Sequence, residues 1–239
     1  MTLHTIWLVR HGESVGNQAA TSAERAGLER IELDLRDADV PLSDVGVEQA
    51  EALGAWLTEH RTGIDVFFVS PYRRARQTLE IAAADLDAPA RVDERLRDRE
   101  LGVLDLLTWR GVQARYPEEA ERRRRLGKYY HRPPGGESWA DVQLRLRSFL
   151  HDALATPEGT AMVVAHDAVV MLVVAALLGM TEEELMPFAA EHTVLNASLT
   201  RVELTEEGWQ LAVFSDVDHL QREGADVTVH PGSPDVDHA

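Results

Sequence analysis

The stretch "WLVRHGES" (residues 7–14) ends a short apolar run with an arginine, a histidine and a glycine, where a buried strand would finish more comfortably in neutral residues. Two more apolar runs end in the same manner. "IDVFFVS" (64–70) is followed within four residues by Arg74, and "TAMVVAH" (160–166) closes on His166. A guanidinium fork matches the oxygens of a phosphate and stays charged at every working pH. A neutral imidazole is a competent nucleophile near pH 7. Two arginines and two histidines, in a chain with no cysteine, therefore point to phosphoryl chemistry: charge neutralisation, an imidazole that attacks phosphorus, and an acid for the leaving oxygen. Backbone N–H groups around Gly12 could add to the cradle, because glycine lets a ligand come close.

For these side chains to meet, the three runs must be neighbouring strands. "TIWLVR" (5–10), 64–70 and 160–166 are β-branched, aromatic and nearly continuous in apolar residues, the pattern of parallel strands covered on both faces. Helical segments alternate with them. Ser43 is placed to cap a helix with Asp44 in its first turn and Val45, Ala52, Leu53, Trp56 and Leu57 on one side. Pro71 suits the first turn of a helix through "YRRARQTLEIAAA". Ser138 and Asp141 form a capping box ahead of Val142, Leu146, Phe149 and Leu150, and Ala168–Met180 reads as a buried helix. "NASLTRVEL" and "WQLAVF" predict an antiparallel edge hairpin across Glu206-Glu207-Gly208. The expected fold is a three-layer α/β/α sandwich with a mostly parallel central sheet and an antiparallel edge. Ligands of such sheets bind at the carboxyl ends of the strands, which is where Arg10, His11, Arg74 and His166 fall.

The polar residues 17–40 read as a loop or lid with a short helix. Residues 91–136 read as an insertion or cap on one domain spanning 1–214, and the acidic residues 215–239 as a disordered tail. The net charge of −17 argues against a nucleic-acid partner. Yet fifteen of the 24 basic residues lie between Arg73 and Arg132, against eleven acids, so a small anion could still be drawn to one place. "RRRR" (122–125) reads as a solvated helix flank, and Trp109, Tyr129, Tyr130 and Trp139 as packing residues or pocket lining. No apolar stretch is long enough for a membrane span, and no signal segment opens the chain, so a cytoplasmic location is expected.

In order along the chain, "LVRHGES" with Asn17, "DADVPLSDVGVEQA", "SPYRRARQT", "LRDRELG", "PPGGESW" and "VVAHD" resemble the motifs of the histidine phosphatase superfamily, the phosphoglycerate-mutase-like fold, over residues 5–204. The resemblance implies His11 as the nucleophile that becomes phosphohistidine, with Arg10, Asn17, Arg74 and His166 holding the phosphate. It puts the general acid on Asp98, where relatives usually carry glutamate, so the carboxyl is one methylene shorter. Glu100 and Asp167 remain alternatives, the latter because a more distant branch uses an aspartate after the late histidine. Neither a cofactor nor a metal is implied. The expected reaction is hydrolysis of a small phosphorylated metabolite. The alternatives are a phosphoglycerate-type mutase and a non-catalytic phospho-ligand module. Edge-strand pairing would permit a homodimer.

Overall fold

Side chains alternate across the strands, and in the computed structural model both sets are buried. The structure describes residues 3–60, 63–84, 86 and 90–230. The elements are β1 (Thr5–Arg10), α1 (Val15–Arg25), α2 (Asp44–His60), β2 (Val66–Val69), α3 (Arg73–Ala82), β3 (Ala90–Val92), α4 (Trp109–Arg115), α5 (Pro117–Tyr130), α6 (Trp139–Leu154), β4 (Thr160–Ala165), α7 (Asp167–Leu178), α8 (Glu182–Glu191), β5 (Leu199–Thr205), β6 (Gly208–Asp216) and α9 (Asp218–Glu223). Six strands pair in the order β3-β2-β4-β1-β5-β6. The first four are mutually parallel, and β5 and β6 add the antiparallel edge.

Ile6, Leu8, Val66, Phe68, Ala161 and Val163 face one core, filled from the α6 and α7 side by Leu146, Phe149, Val170 and Val174. Val9, Phe67, Val69, Met162 and Val164 face the other, covered by Leu53, Trp56 and Leu57 of α2 and Ala75 and Leu79 of α3. Burial on both faces explains why these strands read as continuous apolar runs. The caps work as expected: Ser43 Oγ accepts from Gly46 N at 3.1 Å, and Ser138 and Asp141 close their capping box. Pro71 lies just outside α3, whose N-cap is Tyr72.

Four expectations change. Residues 15–25 are an 11-residue helix, started by a box between Ser14 and Asn17; asparagine stands where the usual signature has Glu or Gln. The loop that follows carries a single 3-10 turn at Asp37–Asp39. The segment from 91 does not begin as an insertion, because β3 is the outer parallel strand, paired with β2. In the arginine run of α5 (interrupted at Gly127, φ +75°), Arg123 is buried with its guanidinium 5.6 Å from the Trp109 ring centre, while its three neighbours are exposed. Finally, the expected tail from 215 is ordered through His230. β6 runs to Asp216 and α9 follows; buried Leu220, with Val217 and Ala225 against it, packs on Ala52 and Ala197. Those few apolar residues were hidden in an acidic composition; the rest of that segment, 231–239, lies outside the described residues.

Candidate active site

Strand register brings the chemistry together. Arg10 pairs with Ala165, and Val69 with Val164, so β1, β4 and β2 end level with one another. The next residues are His11, His166 and Ser70, with Arg74 on the first turn of α3. All four are buried. The His11 and His166 rings stand 5.2 Å apart, edge to face.

The approach of β1 to α2 depends on two glycines. A Cβ on Gly12 would lie 2.6 Å from Gly46 O, and one on Gly46 would lie 1.9 Å from Glu13 O. The Gly12 N–H is not presented to a ligand; it donates to Thr78 Oγ1 at 3.0 Å. Glycine is needed here for backbone packing rather than for ligand approach.

The tautomer of His11 follows from its partners. Nδ1 is 2.7 Å from the Gly12 carbonyl, which can only accept, so Nδ1 carries the hydrogen. Nε2 accepts from Arg74 Nε–H at 3.2 Å, so it is the unprotonated nitrogen and its lone pair is directed at that guanidinium. Burial, with the charge of Arg74 next, holds the His11 pKa well below the ordinary imidazole value. The ring therefore stays neutral and nucleophilic. Asn196, fully buried, fixes it from behind by donating to the His11 carbonyl at 3.1 Å.

Arg74 is the hub. Its Nη2 donates to Asp98 Oδ2 at 2.8 Å, and its Nη1 to the Asp37 carbonyl at 2.7 Å and to Asp37 Oδ1 at 2.9 Å. Burial alone would raise the Asp98 carboxyl; the facing His166 ring, Arg74 and the Arg99 N–H outweigh it and keep Asp98 well below the usual carboxylate range. Burial likewise pushes His166 down to about 3, so that ring is neutral. Its Nε2 meets Ser70 Oγ at 2.8 Å. Its Nδ1 lies 3.3 Å from Asp98 Oδ2 without making a hydrogen bond.

Arg10 is tied by its two ends to the carbonyls of Val194 (2.6 Å) and His230 (3.0 Å), leaving a buried Nε with no hydrogen-bond partner among the described residues. Burial is the main influence on its pKa, which is lowered, against Asp167 and Asp98. The His230 ring bridges Glu13 Oε2 at 2.7 Å and Thr21 Oγ1 at 2.6 Å. Asn17 spends its Oδ1 on the Ser14 N–H at 3.1 Å, so its NH2 is the end that can donate to an anion.

Of the predicted residues, the structure thus joins His11, Arg74, Asp98 and His166 in direct contact, with Arg10 and Asn17 in the surrounding network. Glu100 is exposed and accepts from Tyr72 O–H at 3.0 Å. Asp167 opens α7 and accepts from the next backbone N–H at 2.6 Å. Among the described residues, neither carboxylate hydrogen-bonds to the side chain of His11, Arg74 or His166. Ser70, Thr78, Asp37 and His230 were missed, and Asn196, which the resemblance puts near the site and which reads as a turn or strand-edge amide, holds the His11 carbonyl. Only Ser70 had a legible signal, as the last residue of its strand.

A level row of strand ends carrying a neutral histidine, buried arginines and a carboxylate defines a phosphoryl-binding α/β enzyme class. The family model described as "Histidine phosphatase superfamily (branch 1)" matches residues 6–217, and the chain belongs to that family. A protein of Yersinia enterocolitica named "Probable phosphoglycerate mutase GpmB" is 31% identical over 230 residues, covering 92% of this chain and 97% of its own. Among solved structures, the mycobacterial glucosyl-3-phosphoglycerate phosphatase in complex with VO3 superposes with a TM-score of 0.72 at 26% identity, covering 90% of this chain and 100% of that one. The alpha-ribazole phosphatase of Shigella flexneri shares the fold, with a TM-score of 0.72 at 21% identity over 89% and 96% of the two chains. The α/β/α sandwich with a mostly parallel sheet and an antiparallel edge is the one expected from sequence, with β3 as an added strand, and the protein is an enzyme of the histidine phosphatase class. No helix among the described residues is long and apolar enough to cross a membrane.

Proposed function

We propose that this enzyme hydrolyses the phosphate monoester of a small cytoplasmic metabolite through a phosphohistidine on His11, with no nucleic acid or membrane as partner. The observation that carries the reading is the fixed tautomer of His11: Nδ1–H on Gly12 O, and the Nε2 lone pair beside Arg74 and the second histidine. Nε2 attacks phosphorus as the ester P–O bond breaks. The buried donors that lack hydrogen-bond partners among the described residues, Arg10 Nε and His166 Nδ1, suit the non-bridging oxygens, with Arg74 and Asn17 completing the pocket. Asp98 is ionised in the free enzyme. A phosphate dianion beside Arg74 offsets the positive charge of that guanidinium and raises the proton affinity of Asp98. Asp98 then gives that proton to the leaving alcohol. In the second half, a water attacks phosphorus, Asp98 takes its proton, and the N–P bond breaks to release phosphate.

The curated relatives named as mutases support a second reading, in which phosphohistidine passes its phosphoryl group to a bound sugar acid. The likeness to the mycobacterial glucosyl-3-phosphoglycerate phosphatase and the "GGES" stretch favour water as acceptor. The test is rapid-quench labelling with a phosphorylated substrate. We expect acid-labile, alkali-stable phosphate on wild-type protein, release of inorganic phosphate, and neither with His11→Ala. Equal turnover by His11→Ala would refute the nucleophile; transfer to phosphoglycerate in place of phosphate release would make the enzyme a mutase. Turnover should also resist EDTA.

A further inference from the structure

Arg74 has five N–H groups to give, and all five are committed within the chain. Nε donates to His11 Nε2 at 3.2 Å, Nη1 to the carbonyl and Oδ1 of Asp37, and Nη2 to Asp98 Oδ2 at 2.8 Å and Asp37 Oδ2 at 3.4 Å. A phosphoryl group can therefore engage this guanidinium only by exchange. The three partners differ in how readily they give way. His11 is held from behind through Gly12 and Asn196. Asp98 is held by the Arg99 N–H at 2.8 Å and stands against His166. Asp37 sits on the single 3-10 turn between α1 and α2, its side chain 45% exposed against 24% for Asp98.

From this we infer that Asp37 is a specificity-determining residue: its carboxylate is a built-in competitor for the phosphate seat on Arg74, which only a doubly charged phosphoryl group displaces efficiently. The inference rests on the phosphatase reading above and adds a determinant to it. Exchange of a carboxylate for a phosphate monoester puts two negative charges where one stood, against Arg74 and the neutral His166. A singly charged phosphodiester gains nothing in charge over the carboxylate it must expel. Burial next to Asp98 also lifts the Asp37 pKa despite Arg74, so the resident anion is the less comfortable one. The same competition helps inorganic phosphate to leave after turnover.

The experiment compares wild type with Asp37→Asn, which keeps the backbone carbonyl contact and removes the charge, and with Asp37→Ala. The affinities of inorganic phosphate and of vanadate at pH 8 are measured by calorimetry and as competitive inhibition, with dimethyl phosphate as the singly charged probe. We expect both variants to bind phosphate about tenfold more tightly, the factor to which ~1.4 kcal/mol corresponds. Discrimination against dimethyl phosphate should shrink at the same time. Unchanged or weaker phosphate binding in folded Asp37→Asn and Asp37→Ala, with turnover retained, would overturn the competitor while leaving the phosphatase reading intact. If wild type neither binds phosphate nor turns over monoesters, the reading beneath it has failed instead. A crystal of the wild-type vanadate complex gives a check free of mutation: Asp37 must have left Arg74, and finding it still bidentate there would refute the exchange.

Discussion

Ser70→Ala probes how the tautomer of His166 is set. The wild-type hydroxyl is fully buried, accepts from Tyr72 N–H at 3.3 Å and lies 2.8 Å from His166 Nε2. The carboxylate of Asp98, 3.3 Å from Nδ1, favours the proton of the neutral His166 ring on that nitrogen, so the Ser70 hydroxyl is expected to donate to Nε2. Alanine removes the donor to Nε2 and the acceptor of Tyr72 N–H in a place that water does not reach. Leaving a buried polar group unmet costs about 1–3 kcal/mol. For a domain of this size a loss of ~2 kcal/mol corresponds to roughly 4–8 °C in Tm. The decisive readout is nitrogen-15 NMR of histidine-labelled protein. Wild-type His166 should show a protonated Nδ1 and a pyridine-like Nε2, and Ser70→Ala should populate the other tautomer, with KM rising more than kcat falls and Ser70→Thr restoring most of both. A wild-type spectrum with the hydrogen on Nε2 would refute the reasoning, however the mutant behaved.

Asp98→Asn should leave phosphate binding largely intact and lower kcat by 10²–10⁴-fold for an alkyl phosphate, the usual range for a lost general acid. The fall should be much smaller for p-nitrophenyl phosphate, whose leaving group needs no proton; equal losses on both substrates would remove Asp98 from the acid role. His219 gives a stability prediction. It is buried where α9 meets α2, neither ring nitrogen has a hydrogen-bond partner among the described residues, and burial lowers its pKa from 6.5 to about 4. The unfolded chain takes up that proton as pH falls below 6.5 and the folded one does not, so stability is full above that pH and declines toward pH 4, by at most ~3 kcal/mol from this group. His219→Leu should flatten that part of the Tm-against-pH curve, and an unchanged slope would show that the ring is not the titrating group.

The parts of the fold that could be read in the sequence were those where local signal and tertiary demand agree. Three strands buried on both faces leave long apolar runs, and Ser43 and Ser138 cap helices with side chains in the usual places. The site followed because reactive residues stood directly after such runs, and register in a parallel sheet brings strand ends level. Other parts stayed hidden for physical reasons. β3 is three exposed residues whose only strand-like property is the neighbour it pairs with. Residues 217–230 look like a tail because their hold on the fold consists of a few small apolar contacts and single hydrogen bonds, such as Gln49 Nε2 to the Asp226 carbonyl at 2.7 Å. Asp37 reads as one more acid in an acidic loop until Arg74 is placed against it.

The resemblance puts a glutamate where this chain has Asp98, and on the proposed mechanism that difference has a consequence. Asp98 keeps its carboxyl against Arg74 and His166, and on the proposed mechanism the extra methylene of a glutamate would carry it toward the leaving oxygen of a bound ester. Two consequences follow together. The acid is held more strongly in its ionised form before substrate arrives, and it depends more on the charge of the incoming phosphoryl group to recover a proton. A second carboxylate on the same guanidinium, Asp37, acts in the same direction, since its departure deprives Arg74 of one negative neighbour as the dianion supplies two. On the proposed mechanism both carboxylates thus tie proton delivery to the charge of the ligand, and the doubly charged monoester would be the form that the pocket both admits and cleaves.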